Sequence, residues 1–336
     1  MAPDEAAPPG DPFRGLSISF LAGCFLEDLQ IQAKERVYDI EPRIREKGKN
    51  AICPRDNKPG AAYVDVAEDA LAGRANIMLS YTWGYEIHDI TSALLQYCQN
   101  ASTQPEQVRT WICCLCVNQH RVKEAQAAGS GISFEAFQQT FGERVQGIGR
   151  IVAMLSPWRD ASYLKRVWCL FEAWTATNTE GCVLEFVLPD HQAKDYRRSL
   201  RRSDLDEVWK ALSSISVKDA EASVKEDRDC ILELVKNSGG GYTGLDHELT
   251  KHLQTWFVQT AATHLQSSMA SGEVHPGRTK LCVALAGFFV ALGSLQEAEK
   301  LINDGFLLCG RGLAALAALA GDGRGAQEAP AASEGE

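Results

Sequence analysis

Ala75-Asn-Ile-Met-Leu-Ser-Tyr-Thr-Trp-Gly84 is a short apolar run that breaks into a polar, glycine-ended stretch, the pattern of a buried strand that ends in a loop. Ile87 to Cys98 follows with apolar residues at helical spacing (Ile87, Ile90, Leu94, Leu95, Cys98). A second strand is expected at Trp111-Ile-Cys-Cys-Leu-Cys-Val117, which breaks into Asn118-Gln-His-Arg121. The Ala/Gly-rich, polar segment Lys123 to Gly131 reads as a surface excursion, and Phe134 to Val145 as a helix. Arg150 to Leu155 is a third strand candidate stopped by Ser156-Pro157; Tyr163 to Thr177 reads as a helix and Cys182 to Leu188 as a fourth strand closed by Pro189. Strands alternating with helices over 75–190 predict an α/β domain with a parallel sheet and helices on both faces. Ligands of such sheets bind at the carboxyl ends of the strands, which is where Tyr81–Gly84 and Asn118–Arg121 fall.

On the N-terminal side, the Pro/Ala-rich residues 1–12 read as a disordered start and 13–74 as an extension of mixed structure, with helix possible in Leu26 to Arg45 and a loop at Cys53 to Gly60. Beyond Pro189 the pattern becomes helical over 191–270, broken at Gly239-Gly-Gly241. A linker is expected at Gly272 to Gly277, a helical hairpin at 278–314, and a disordered low-complexity tail at 315–336.

At about 150 residues per domain, 336 residues leave room for about two domains. With 34 basic against 44 acidic residues the net charge is −10, the wrong sign for a bulk-electrostatic binder of nucleic acid or anionic lipid. The longest apolar stretch, Leu281 to Leu292, is too short to cross a bilayer. Met1 to Pro12 lacks the basic and apolar regions of a secretory signal, and eleven cysteines without one imply free thiols in a reducing, cytoplasmic setting.

Trp168-Cys-Leu-Phe-Glu172 places Trp168 and Glu172 four apart on one helical face, with Cys169 one step around. A carboxylate beside an indole suits stabilisation of a cationic, sugar-like transition state; the same letters also read as an amphipathic helix with Glu172 at the rim of the core. Cys113, Cys114 and Cys116 with His120 approach metal-ligand spacing, but on a strand Cys113 and Cys116 diverge and no second ligand pair is evident. They read as small buried hydrophobes, and no metal is expected. Ser80, His120 and Asp89 could form a hydrolase triad, yet no nucleophile-elbow glycines surround Ser80. Arg197-Arg-Ser-Leu-Arg-Arg202 reads as a solvated helix face balanced by Asp204, Asp206 and Glu207, with docking of an acidic partner or a nucleotide phosphate as the alternative.

Leu79-Ser-Tyr-Thr-Trp-Gly84 resembles the first box of TIR domains and, more closely, the "LSYxWG" box of fungal heterokaryon-incompatibility (HET) domains. Trp111 to Gln119 resembles the HET box "WIDxLCINQ", and Arg166-Val-Trp-Cys-Leu-Phe-Glu172 resembles both the HET "RxWxxQE" box and the plant TIR "WCLxE" segment. Cys113 and His120 stand where the HET pattern has acidic residues. Ala284 to Leu301 resembles part of a tetratricopeptide repeat.

The TIR resemblance implies a flavodoxin-like sheet, followed here by an α-helical C-terminal region, and an NAD hydrolase that releases nicotinamide in intracellular signalling or innate-immune defence. Glu172 would be catalytic, with Ser80, Tyr81, Trp83 and Gly84 bordering the nucleotide, and Trp168 stacking on a substrate ring beside Cys169. Asn118, Gln119 and His120 would line the same site from the second box. Apart from the resemblance, backbone amides at a helix start after Gly84, with Arg121 or Arg150 nearby, are the candidate anion contacts for the pyrophosphate. NAD is then substrate, no cofactor is required, and protein partners would use the α/β domain or the C-terminal helices. A non-catalytic adaptor is the alternative. A homo-oligomer fits the family, although no counterpart of the long loop through which TIR domains assemble is found.

Overall fold

The computed structural model describes residues 7–129, 134–201, 215–270 and 278–307. The chain divides into two compact units, residues 1–196 with 207–253, and residues 197–206 with 254–336.

The first unit is an α/β structure built on one six-stranded sheet in the order β2-β1-β4-β3-β5-β6. Its strands are β1 (Arg14–Ser17), β2 (Ala72–Arg74), β3 (Ile77–Ser80), β4 (Arg109–Trp111), β5 (Arg150–Met154) and β6 (Val183–Val187). β3 lies parallel to β4 (Ile77 opposite Thr110) and to β5 (Ser80 opposite Ala153), and β6 lies parallel to β5. All four residues of β3 are buried, as expected of a central strand covered on both faces, and this is why its sequence shows an apolar run instead of an alternation.

The sheet is therefore mixed rather than parallel throughout. β1 runs antiparallel to both β2 and β4, so residues 13–74 are not an extension beside the sheet but supply two of its strands. Arg14-Gly-Leu-Ser17 and Ala72-Gly-Arg74 are too short and too glycine-rich to announce themselves as strands. Gly15 is required by packing: a Cβ there would stand 2.7 Å from the Thr110 carbonyl oxygen on β4. The described part of 1–12 is also packed: Ala7 is buried and Gly10 N–H donates to Asp65 at 2.9 Å.

The helices begin with the short turns α1 (Ile18–Ala22) and α2 (Cys24–Asp28), then α3 (Val37–Gly48), α4 (Tyr63–Val66) and α5 (Ile87–Asn100). Next come α6 (Cys113–Cys116), α7 (Gln119–Ala127), α8 (Phe134–Ile148), α9 (Val167–Thr177) and α10 (Asp190–Arg201). The expected second strand stops at Trp111, and Cys113–Cys116 is a single helical turn. An unbroken apolar run does not distinguish a buried strand from a buried turn of helix. Lys123 to Ala127 belongs to α7, which is capped by the Asn118 side chain accepting from His120 N–H, where a surface excursion is predicted. The β3–α5–β4 connection moves one way across the sheet, while those carrying α8 and α9 move the other, so right-handed crossovers put α5 on the opposite face from α8 and α9.

Gly48 closes α3 against the loop that follows: Ala61 N–H donates to Gly48 O at 3.0 Å, and a Cβ at 48 would lie 2.1 Å from Ala61 O. Neither backbone can retreat without breaking that bond. Gly48→Ala is therefore expected to lower the unfolding free energy by about 1–3 kcal/mol in urea denaturation.

Downstream, α11 (Lys225–Asn237) precedes α12 (Gly241–Ala270), whose residues up to Leu253 count with the first unit. The second unit contains the rest of α12 together with α13 (Arg278–Ala291) and α14 (Leu295–Leu307). The latter two pack as a hairpin with Leu281, Leu285, Phe289, Ala298 and Leu301 buried. The expected linker 272–277, the tail 315–336, the end of the hairpin beyond 307 and Arg202 with its acidic followers lie outside the described residues. Among the described residues, no helix is long and apolar enough to cross a membrane.

Candidate functional site

Ser80 ends β3 fully buried, and its strand neighbour on β5 is Ala153, which offers no side-chain partner. A buried hydroxyl needs one, and Ser80 finds two. Its Oγ lies 2.9 Å from the Tyr163 hydroxyl and is hydrogen-bonded to the Glu172 carboxyl on α9. The Tyr163 hydroxyl in turn donates to the Cys169 carbonyl at 2.9 Å.

Tyr163 is held in a short 3₁₀ turn, Ser162–Lys165, whose placement depends on another tyrosine. The Tyr85 hydroxyl accepts from Ser156 N–H at 3.2 Å and Tyr163 N–H at 3.1 Å, and donates to Met154 O at 3.3 Å. One phenol in the loop after β3 thus uses its donor and both lone pairs to anchor the loop after β5.

Across from Glu172 stands Cys113 at the start of α6. Its sulfur accepts from Trp83 Nε1 at 3.3 Å and lies 3.4 Å from the Tyr81 hydroxyl. Trp83, partly exposed, meets the Tyr38 ring at 5.5 Å between centroids. Cys169 Sγ completes the cluster by donating to Tyr81 O at 3.5 Å.

Burial sets the protonation of this cluster. It raises the Cys113 thiol, and the neighbouring Glu172 raises it further; the same two causes act on Cys169. Burial also lifts the Tyr81 and Tyr163 phenols well above their usual range. Glu172, partly exposed but with its carboxyl in dry surroundings, is pushed up to about 7 by burial, opposed by the Ser80 hydrogen bond. Within the cluster, Glu172 is the group poised to change charge near neutrality.

Ser80, Tyr81, Trp83, Cys169 and Glu172 are thus brought together, with Gly84 in the same loop, its N–H 3.3 Å from Thr82 Oγ1. The other expected residues face elsewhere. Asn118 donates to Gly60 O at 2.9 Å, and His120 Nε2 lies 3.0 Å from Arg45 O, so both tie the second box to the N-terminal segment. Gln119 folds back on the Cys113 carbonyl at 3.3 Å. Trp168 is hydrogen-bonded to Asp227 on α11 and meets Phe171 edge-on at 6.0 Å. Of the two anion-contact candidates, Arg121 is paired with Asp56 at 2.5 Å, and Arg150 with Glu185 at the far, amino end of β5. The triad does not assemble, because Asp89 pairs with His191 at 3.4 Å while Ser80 and His120 are engaged as above. Cys114 and Cys116 are buried, and the described residues contain no metal-ligand cluster.

Tyr85, Tyr163 and Cys113 are the contributors that sequence reasoning misses. Cys113 carries a signal, since it stands where the box that its segment resembles has an acidic residue; the two tyrosines carry none. No protein-family model matches the chain, and no curated protein or solved structure matches it.

Proposed function

We propose that the α/β unit is a TIR-like NAD glycohydrolase, with Glu172 as its catalytic carboxylate. The observation that carries this reading is the meeting of all three boxes at one place: Glu172 bonds Ser80, and Cys113 bonds Trp83 and Tyr81. That place lies at the carboxyl end of β3. The parallel strands run β4-β3-β5-β6, with connections leaving β3 and β5 in opposite directions. This order supports a flavodoxin-like reading, and the switch point between β3 and β5 is where such folds bind nucleotides.

The reaction is NAD plus water giving ADP-ribose, nicotinamide and a proton. Nicotinamide leaves the ribose C1′ as a neutral ring, so no strong general acid is needed. The demand is for negative charge beside the developing oxocarbenium. An ionised Glu172 supplies it, Ser80 fixes the carboxylate's orientation, and water adds to C1′ with loss of its proton. Trp83, partly exposed beside Cys113, takes the stacking role that the sequence suggests for Trp168.

Because the working form is the carboxylate, the rate should rise as pH increases through about 7. Purified protein incubated with NAD is expected to release nicotinamide, followed by chromatography, with that profile. No release above the blank at any pH would overturn the reading and favour the non-catalytic adaptor.

A further inference from the structure

Three contacts link four groups in series: the Glu172 carboxyl to Ser80 Oγ, Ser80 Oγ to the Tyr163 hydroxyl, and the Tyr163 hydroxyl to the Cys169 carbonyl. The last of these can only accept. Serine and tyrosine hydroxyls carry one proton each. If Glu172 is ionised, two protons must serve three contacts, and one pair of oxygens faces each other with no hydrogen between them. If Glu172 is neutral, its own proton goes to Ser80, the Ser80 proton to Tyr163, and the Tyr163 proton to the Cys169 carbonyl. Every contact is then a hydrogen bond.

We propose that Tyr163 is a positioning residue that acts on Glu172 through Ser80, holding the resting carboxyl in its neutral form and orienting it as a donor into the strand end. The surroundings agree, because among the described residues no fixed cation is brought against the carboxyl. Cys113 on α6, Cys169 on α9 and Tyr81 after β3 are neutral neighbours. From α8, Arg144 lies over the Trp111 ring at 5.1 Å. Arg166, preceding α9, bonds Ser223 at 2.9 Å. On the α11 side Asp227 holds Trp168, and on the sheet Arg150 and Glu185 satisfy each other.

The inference deepens the proposed hydrolase, since it says what turnover must first undo. The resting acid has to lose its proton, and with it one hydrogen bond of the series, before a carboxylate can face the ribose.

The count, together with the greater strength of a hydrogen bond to a carboxylate, gives two variants opposite signs. In Tyr163→Phe, one proton serves one contact, so ionisation breaks nothing and Glu172 should give up its proton more readily. Removal of one unpaired contact is worth roughly one pH unit, about ten-fold in proton affinity. In Ser80→Ala the ionised carboxylate loses the hydroxyl that would donate to it, a charge-assisted bond stronger than the one the neutral carboxyl makes to the same oxygen, so the titration should move upward. A purely structural effect of either change would not separate them by sign.

The test is an infrared titration of the full chain from about pH 5 to about pH 9. The protonated-carboxyl band of Glu172 is identified by its loss in Glu172→Gln. A wild-type midpoint near neutrality, lowered in Tyr163→Phe and raised in Ser80→Ala, supports the inference. A Tyr163→Phe midpoint unchanged or raised, or a wild-type Glu172 ionised throughout, overturns it. The readout needs no turnover: if the midpoints move as stated and no nicotinamide is released, the NAD reading falls and this inference stands. Release with unmoved midpoints does the reverse.

Discussion

Replacing Glu172 by glutamine is expected to cut nicotinamide release at least about 100-fold while leaving the protein folded, the scale seen when one preorganised charge-stabilising group is removed. The amide matches the carboxyl in shape and can still donate an N–H to Ser80, so the hydrogen-bonded series of the resting site survives; only the ability to become an anion is lost. The same variant carries a thermodynamic signature. A carboxyl raised from an ordinary 4.5 to about 7 by burial binds its proton more tightly in the folded than in the unfolded chain. Its contribution to stability is full below about 4.5, falls as pH rises, and is gone above about 7. That difference is on the order of 3 kcal/mol. Urea unfolding at several pH values should show wild type losing stability relative to Glu172→Gln across that window. Equal rates of nicotinamide release in the two proteins would remove Glu172 from the mechanism.

Arg14→Met is expected to lower stability by about 3–5 kcal/mol, the scale of breaking a buried charged network. The Arg14 side chain is only 2% exposed, yet its guanidinium serves four acceptors. Nε donates to Val64 O at 3.0 Å, Nη2 to Ala67 O at 3.1 Å and Asp69 at 2.8 Å, and Nη1 to Ala7 O. Methionine fills similar volume but strands three carbonyls. The carboxylate partner matters little, because Asp69 is 83% exposed; Asp69→Ala should cost less than about 1 kcal/mol. Comparable losses for both variants in urea unfolding would show that the ion pair, and not the carbonyl cage, holds the N-terminal strands in place.

The parts of this fold that could be read in advance are those where one physical demand dominates. β3 and β5 lie in the body of the sheet, and their apolar runs follow from that. β1 and β2 satisfy a different demand, close backbone approach, which selects Gly15 and Gly73 and leaves no hydrophobic pattern to find. At the site, Ser80 and Glu172 were visible through their boxes, but their hydrogen bond spans 92 residues and depends on the loop that Tyr85 anchors. Trp168 and Glu172 share a helical face by spacing, and tertiary packing divides their duties: α11 takes the indole, and the end of β3 takes the carboxyl. Asn118 and His120 read as site residues because they are polar at the end of an apolar run. The structure uses that polarity to cap α7 and to fasten Gly60 and Arg45.

The strand order also bears on how a ribosome can deliver this molecule. β1 leaves the exit tunnel first, yet it is flanked on both sides only after Arg109–Trp111 has been made, and β3 gains its second neighbour only with Arg150–Met154. Until then a nascent chain carries open edges able to pair with another nascent chain. Slow synthesis before β5 has emerged from the tunnel would prolong that exposure, whereas a pause after its emergence would fall on a chain whose strands β3 and β4 are already enclosed.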